Sequence, residues 1–230
     1  MSGAGDVETV LAELQSRASE AYHAGQARYG INTARSFGVS LPDIRVLAKP
    51  HRGDHELARA LWASGWREAR ILATIIADPE RAEAGELDAW AGDSNSWEVT
   101  DGLTSNYVRR TAFAWGKAMA WPADEREFVR RAGFALQADL AVHDKQAGDD
   151  CFEACLPLVR THAVDERNFV KKAVNWSLRQ IGKRNIRLNA LAIVAAEALA
   201  AQDSRSARWI GHHALRELRS DKVQARLRGL

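Results

Sequence analysis

A five-residue stretch, Phe128-Val-Arg-Arg-Ala132, recurs 41 residues later as Phe169-Val-Lys-Lys-Ala173. A looser pair, Trp66-Arg-Glu-Ala-Arg70 and Tyr107-Val-Arg-Arg-Thr111, shows the same 41-residue interval. An internal period near 40 marks units that cannot bury an apolar face alone and must stack on their neighbours. The units read as helical. Val7, Val10, Leu11, Leu14, Ala18 and Tyr22 fall three and four apart, one face of a 3.6-residue period, behind Asp6 as an N-cap. That pattern predicts a first helix over about 6–24. Ser40, Leu41 and Pro42 read as N-cap, entry residue and early helical proline, with Ile44, Leu47 and Ala48 behind them. Further helices are predicted over about 54–64, 67–78, 82–91, 95–108, 108–119, 125–142, 146–162, 166–182, 186–201 and 204–219. No stretch alternates with period two for long enough to make a strand. Glycine (16) and proline (5) are sparse, and alanine, leucine, arginine and glutamate, which favour helix, dominate.

Two helices per unit of about 40 residues is the signature of HEAT-like repeats. The expected fold is therefore all-α: a HEAT-like (ARM/HEAT) helical-repeat solenoid forming one domain over residues 1–230, with 1–5 disordered. Each unit is expected to open a helix with an aromatic on the packed side and a basic pair beside it. Stacking such units would line a concave groove with the basic pairs.

Charge is divided unevenly. Residues 1–159 carry 17 Lys/Arg against 24 Asp/Glu, and residues 160–230 carry 15 against 6. A basic C-terminal third on an acidic body suggests a surface that receives a polyanion, and duplex DNA has a suitable shape. No apolar run reaches the roughly 18 residues of a membrane span, since Leu191–Ala201 is interrupted by Glu197. The first residues lack a signal-peptide pattern, and two cysteines, Cys151 and Cys155, are too few for a disulfide framework. A cytoplasmic monomer is expected.

Two stretches carry chemistry. In Ser96-Trp-Glu-Val-Thr-Asp101, Trp97 and Asp101 lie one helical turn apart and share a face. An indole and a carboxylate projecting together suit a cation. The second stretch runs from Asn168 to Asn185. It sets Trp176 among Lys171, Lys172, Arg179, Lys183 and Arg184, an aromatic amid evenly spaced bases, which fits contact with a phosphate backbone.

Together with Tyr29 and Phe37-Gly-Val-Ser-Leu-Pro-Asp-Ile-Arg45, these stretches resemble the AlkD-type DNA alkylation-repair glycosylases, a HEAT-like-repeat family, from about residue 27 to 218. The resemblance implies hydrolysis of the N-glycosidic bond of cationic N3- or N7-alkylated purines in double-stranded DNA, for base excision repair. It implies no metal, no organic cofactor and no base-reading pocket. By resemblance Asp101 takes the place of the catalytic aspartate, and Trp97 and Trp176 those of the tryptophans flanking the lesion nucleotide. Arg131, or its neighbour Arg130, takes that of the backbone-binding arginine, and Tyr29 that of a tyrosine contacting DNA. Glu98 stands where relatives commonly carry aspartate.

The alternative functions are a catalytically silent repeat protein that binds distorted or branched DNA, and a protein-interaction scaffold. His51 and His55, with no third ligand evident, do not read as a zinc site. Trp62, Trp66, Trp90, Trp115 and Trp121 read as packing between helices.

Overall fold

Ser19 decides where the first helix stops. A single helix was expected over 6–24, but the chain breaks into α1 (Ala4–Ser16) and α2 (Glu20–Gln26). The Ser19 side chain accepts from the Tyr22 N–H, and its own N–H donates to the Gly38 carbonyl at 3.2 Å. A side-chain cap and a tertiary bond thus replace two helical bonds at this point. The computed structural model describes residues 4–229. Of the leader expected to be disordered, residues 1–3 lie outside the described range.

The helices group into two compact units, one up to Phe113 and one from Ala114. In the first, α3 (Leu41–Ala48), α4 (His55–Ala63), α5 (Arg67–Ile76), α6 (Ala84–Asp93) and α7 (Trp97–Gly102) follow. Ser40 and Asp54 cap α3 and α4 through their side chains. α3 and α4 both pack on α5, whose inner face buries Ile71, Leu72 and Ile76. Trp62 stacks on Trp90 with ring centroids 4.4 Å apart, and Phe37 on Trp66 at 4.0 Å. These tryptophans are packing residues, as their sequence setting suggested.

The second unit holds α8 (Ala114–Ala120), α9 (Glu127–His143), α10 (Asp149–Glu153), α11 (Cys155–His162), α12 (Asn168–Ile181), α13 (Ile186–Ala200), α14 (Arg205–Leu218) and α15 (Asp221–Leu227). α12 lies along α9, and α14 packs on both α12 and α13. At Gly211 the approach is backbone to backbone: a Cβ there would stand 2.5 Å from the Ala200 nitrogen. The single helix expected over 146–162 is broken at Ala154. Pro157 has no N–H to return to the carbonyl four residues earlier. A buried polar ladder runs through this core, from Ser177 Oγ to Gln137 Oε1 (2.8 Å) and from Gln137 Nε2 to the Ala118 carbonyl (2.9 Å).

The repeat register holds for the stricter pair of motifs. Phe128 and Phe169 open α9 and α12, and their rings lie 5.7 Å apart. It does not hold for Tyr107, which closes a helical extension instead of opening a helix. Thr111 turns to an extended conformation and returns its hydroxyl to the Val108 carbonyl at 2.9 Å, so the helix expected over 108–119 begins only at Ala114. Among the described residues there is no β-strand, and no helix is long and apolar enough to cross a membrane.

Candidate nucleic-acid interface

In the first unit the site is built on α7. Ser96 caps it: its side chain accepts from the Val99 N–H and its carbonyl accepts the Thr100 hydroxyl at 2.9 Å. Trp97, the first helical residue, donates its indole N–H to the Tyr29 carbonyl at 2.9 Å. The Tyr29 ring stands 70% exposed at the end of the 3₁₀ turn Ala27–Tyr29. Tyr29 and Trp97, 68 positions apart in sequence, are therefore held together. Asp101, one turn after Trp97, is half-buried and is not without a partner.

Directly after Asp101 the helix widens into a π turn, Leu103–Tyr107. The Thr104 and Ser105 hydroxyls both return to the Asp101 carbonyl, at 3.1 and 2.6 Å. The fully buried Tyr107 ring sends its hydroxyl to Glu86 at 2.9 Å. Such π turns are frequent at functional sites. A cavity of about 250 Å³ opens beside this turn, lined by Arg52, Ser105, Asn106, Arg109, Arg110 and Ile75.

α7 is braced against α5 by charge. Arg67, almost fully buried, reaches Glu98 with Nη2 at 2.5 Å and Glu68 with Nη1 at 2.8 Å. Glu68, fully buried, accepts from the Ser36 hydroxyl (2.7 Å) and the N–H groups of Phe37 (3.0 Å), Gly38 (3.0 Å) and Val39 (3.2 Å). Burial pushes the Glu68 carboxyl up. The bonds from Phe37 and Ser36 and the charge of Arg67 outweigh it, and the group is held below the usual carboxylate range. One buried carboxylate thus fixes the Phe37–Val39 segment, where Gly38 has a φ of +76° and a Cβ would meet the Ser19 carbonyl at 2.6 Å. Glu98 is the residue that carries this brace to α7.

The other sequence-predicted residues belong to the second unit. Arg131 is buried, 6% exposed, and donates to the Phe169 carbonyl at 2.7 Å. Arg130 donates to the Pro122 carbonyl (3.0 Å) and to Asp165 (2.8 Å). Burial raises the Asp165 carboxyl, but bonds from Arg167 and Arg130 prevail and hold it down at about 2. Lys172 is exposed and Trp176 half-buried on α12. Lys171 places its ammonium 5.2 Å from the centre of the Trp209 ring. Arg179 and Lys183 both pair with Glu217. Arg184 spends its donors on the carbonyls of Ala141 (3.1 Å), Asp144 (2.8 Å) and Ala147 (3.0 Å), and its guanidinium lies 4.1 Å from the Phe152 ring centre. It ties down the C-terminal end of α9.

Sequence reasoning passed over Trp209. It lies five positions into α14, the register that Arg131 has in α9 and Lys172 in α12, and no repeated motif surrounds it. Among the described residues no group of three or more His, Cys, Asp or Glu is placed to hold a metal. His55 is instead buried against Glu86, 3.4 Å away.

An all-α chain of stacked helical repeats whose C-terminal third is strongly basic defines the class: a HEAT-like-repeat protein. Residues 10–218 match the model of the family described as DNA alkylation repair enzyme, and the chain belongs to that family. It is also similar to a solved structure described as "a new family of proteins related to the HEAT-like repeat DNA glycosylases with affinity for branched DNA structures". The two share 22% identity and a TM-score of 0.76 over 92% of this chain and 95% of that one. No curated protein matches.

Proposed function

We propose that this protein binds duplex DNA that departs from regular B-form, at branches or other distortions. The observation that carries this reading is the cationic surface of the second unit. Residues 160–230, all within that unit, bear 15 Lys/Arg against 6 Asp/Glu, and exposed Lys172 stands on α12 one turn before half-buried Trp176. The similar solved structure is described as having affinity for branched DNA, and likeness over nearly both whole chains supports the same ligand here. Arg130, Arg131, Arg179, Lys183 and Arg184 have protein partners of their own, so the first contacts with phosphate fall to residues such as Lys172.

A second reading, excision of cationic N3- or N7-alkylated purines, is favoured by one arrangement: Trp97 pinned to Tyr29 with Asp101 one turn behind it. The alkylated base already carries the positive charge of the leaving group, so no general acid is needed. In either adduct the C1′–N9 glycosidic bond breaks, the base leaves neutral with the electron pair, and water adds its oxygen to C1′ and gives up a proton. Asp101 would stabilise the cationic sugar and orient that water. Trp97 would hold the sugar through contacts that strengthen as charge grows.

One experiment separates the readings. The protein is titrated by fluorescence anisotropy against a three-way junction and an intact duplex, and incubated with duplex carrying a single 7-methylguanine. Salt-sensitive preference for the junction, with base release no faster than without protein, is the expected result. Release that is faster and is lost in Asp101→Asn, with DNA binding retained, would establish excision instead. Absence of binding to either DNA would leave the protein-interaction scaffold.

A further inference from the structure

We infer that Trp209, with Lys171 and His213, is a stacking platform for a base whose face is exposed at a DNA branch point. Of the eight tryptophans, Trp209 is the most exposed, at 38% of its surface. Single exposed apolar residues need no explanation, but this ring is held in place. The His213 ring, one turn further along α14, stacks with it at 5.2 Å and 24°. His213 is itself fixed by Asn175, a buried residue of α12, whose Nδ2 lies 3.1 Å from His213 Nδ1. Lys171, also on α12, sets its ammonium over the indole at 5.2 Å.

The register places this ring where α12 carries exposed Lys172, while the matching Arg131 of α9 is buried on the Phe169 carbonyl. Five positions into α9 and α12 stand Arg131 and Lys172, with Arg130 and Lys171 immediately before them. At the same place in α14 stand Arg208 and Trp209. The third helix keeps the first cation and exchanges the second for an indole. A cation answers phosphate, and a large exposed ring beside cations answers a base. In an intact duplex the base faces are covered by their neighbours. At a branch or an end, a face is open. The Lys171 ammonium now occupies the ring as a cation–π partner; when a base stacks there, the flexible lysine moves to the adjacent phosphate, which needs a cation at that distance. The site therefore adds affinity where a base face is free and little elsewhere.

This inference rests on the DNA-binding reading. It is tested with Trp209→Ala and Trp209→Phe, measured on a three-way junction and on an intact duplex of equal length, with far-UV circular dichroism checking the fold. Loss of one base–aromatic stack should weaken junction binding by roughly tenfold in Trp209→Ala, change duplex binding less than about twofold, and be mostly rescued in Trp209→Phe. A 2-aminopurine at the branch should be quenched by the wild-type protein and not by Trp209→Ala. If Trp209→Ala bound both DNAs as the wild type does, or lost both equally, the platform would be overturned while DNA binding stood. If the wild type bound neither DNA, the underlying reading itself would fail.

Discussion

Lys172 within α12 and Arg184 just after it carry the same charge and are equal candidates by sequence, yet their surroundings separate them. The Lys172 side chain stands in solvent, whereas Arg184 binds three carbonyls at the end of α9 and covers the Phe152 ring. Substituting each by alanine should therefore act on different observables. Lys172→Ala should leave the melting temperature unchanged, weaken DNA binding across sequences, and reduce the slope of log K against log salt by about 1. Arg184→Ala should leave that slope nearly unchanged. It strips charged donors from three part-buried carbonyls and should destabilise the fold by about 1–3 kcal/mol, read as a fall in the urea midpoint. A large change of salt slope in Arg184→Ala would place its guanidinium on the DNA face after all. At this scale, sequence reasoning identifies chemical type but not allegiance. The Asn168–Asn185 run gives correct residue kinds, while which cation is free depends on carbonyls and carboxylates 34 or more positions away, such as Glu217 and Ala141.

At the scale of elements, two buried carboxylates join neighbouring helices and set how the fold answers to acid. Glu68 gathers the Phe37–Val39 segment onto α5, and Asp165 receives Arg130 from α9 and Arg167 from the start of α12. Both titrate below their ordinary values in the folded protein. Groups of this kind stabilise fully above their unfolded pKa, and the stabilisation is lost as pH falls through the folded one. For Asp165, from 3.8 to about 2, the loss falls between about pH 4 and pH 2 and amounts to about 2 kcal/mol. Urea midpoints measured across that range should fall steeply in the wild type and less steeply in Asp165→Asn. Glu68→Gln leaves Arg67 half-partnered in the core and should cost about 3–5 kcal/mol at neutral pH. The helices themselves were readable where a strong apolar period runs uninterrupted: α9, α12 and α14 lie within three residues of the ranges that periodicity predicts. Their interruptions were not. The break at Ser19 depends on the Gly38 carbonyl, and the π turn depends on two hydroxyls competing for the Asp101 carbonyl. The first partner lies outside any local window; the second lies within one turn, but Ser and Thr hydroxyls return to such carbonyls in ordinary helices too, so their presence marks no π turn. Trp209 escaped notice because α14 starts 37 residues after α12, at Arg205 against Asn168, out of step with the 41-residue interval that marks the other two.

For the whole molecule the decisive property is polarity of charge along the chain: a deficit of basic residues up to residue 159 and a surplus after it, within a total near neutrality. A protein of nearly zero net charge has little long-range attraction for DNA, so binding must come from local neutralisation of phosphates by the basic third. That predicts a definite dependence on salt. Each phosphate neutralised contributes about 0.9 to the slope of log K against log salt on a duplex. Many of the bases of α9 and α12 are committed to carboxylates or carbonyls within the fold, so the slope should be shallow, about −3 to −5, despite fifteen Lys/Arg in that third. Stacking on an exposed ring is largely insensitive to salt and adds a constant to log K, so raising salt should weaken duplex and junction binding nearly in parallel, the junction line being steeper by no more than about 0.9, the one phosphate that Lys171 reaches. The check is anisotropy titration of both DNAs from about 50 to 200 mM salt, the range over which counterion release is resolved. A slope near −10 would mean that the internal ion pairs open on binding and their cations turn to phosphate. A junction line steeper than the duplex line by several phosphates' worth would mean that discrimination between them is itself ionic, carried by extra phosphates at the branch and not by a ring.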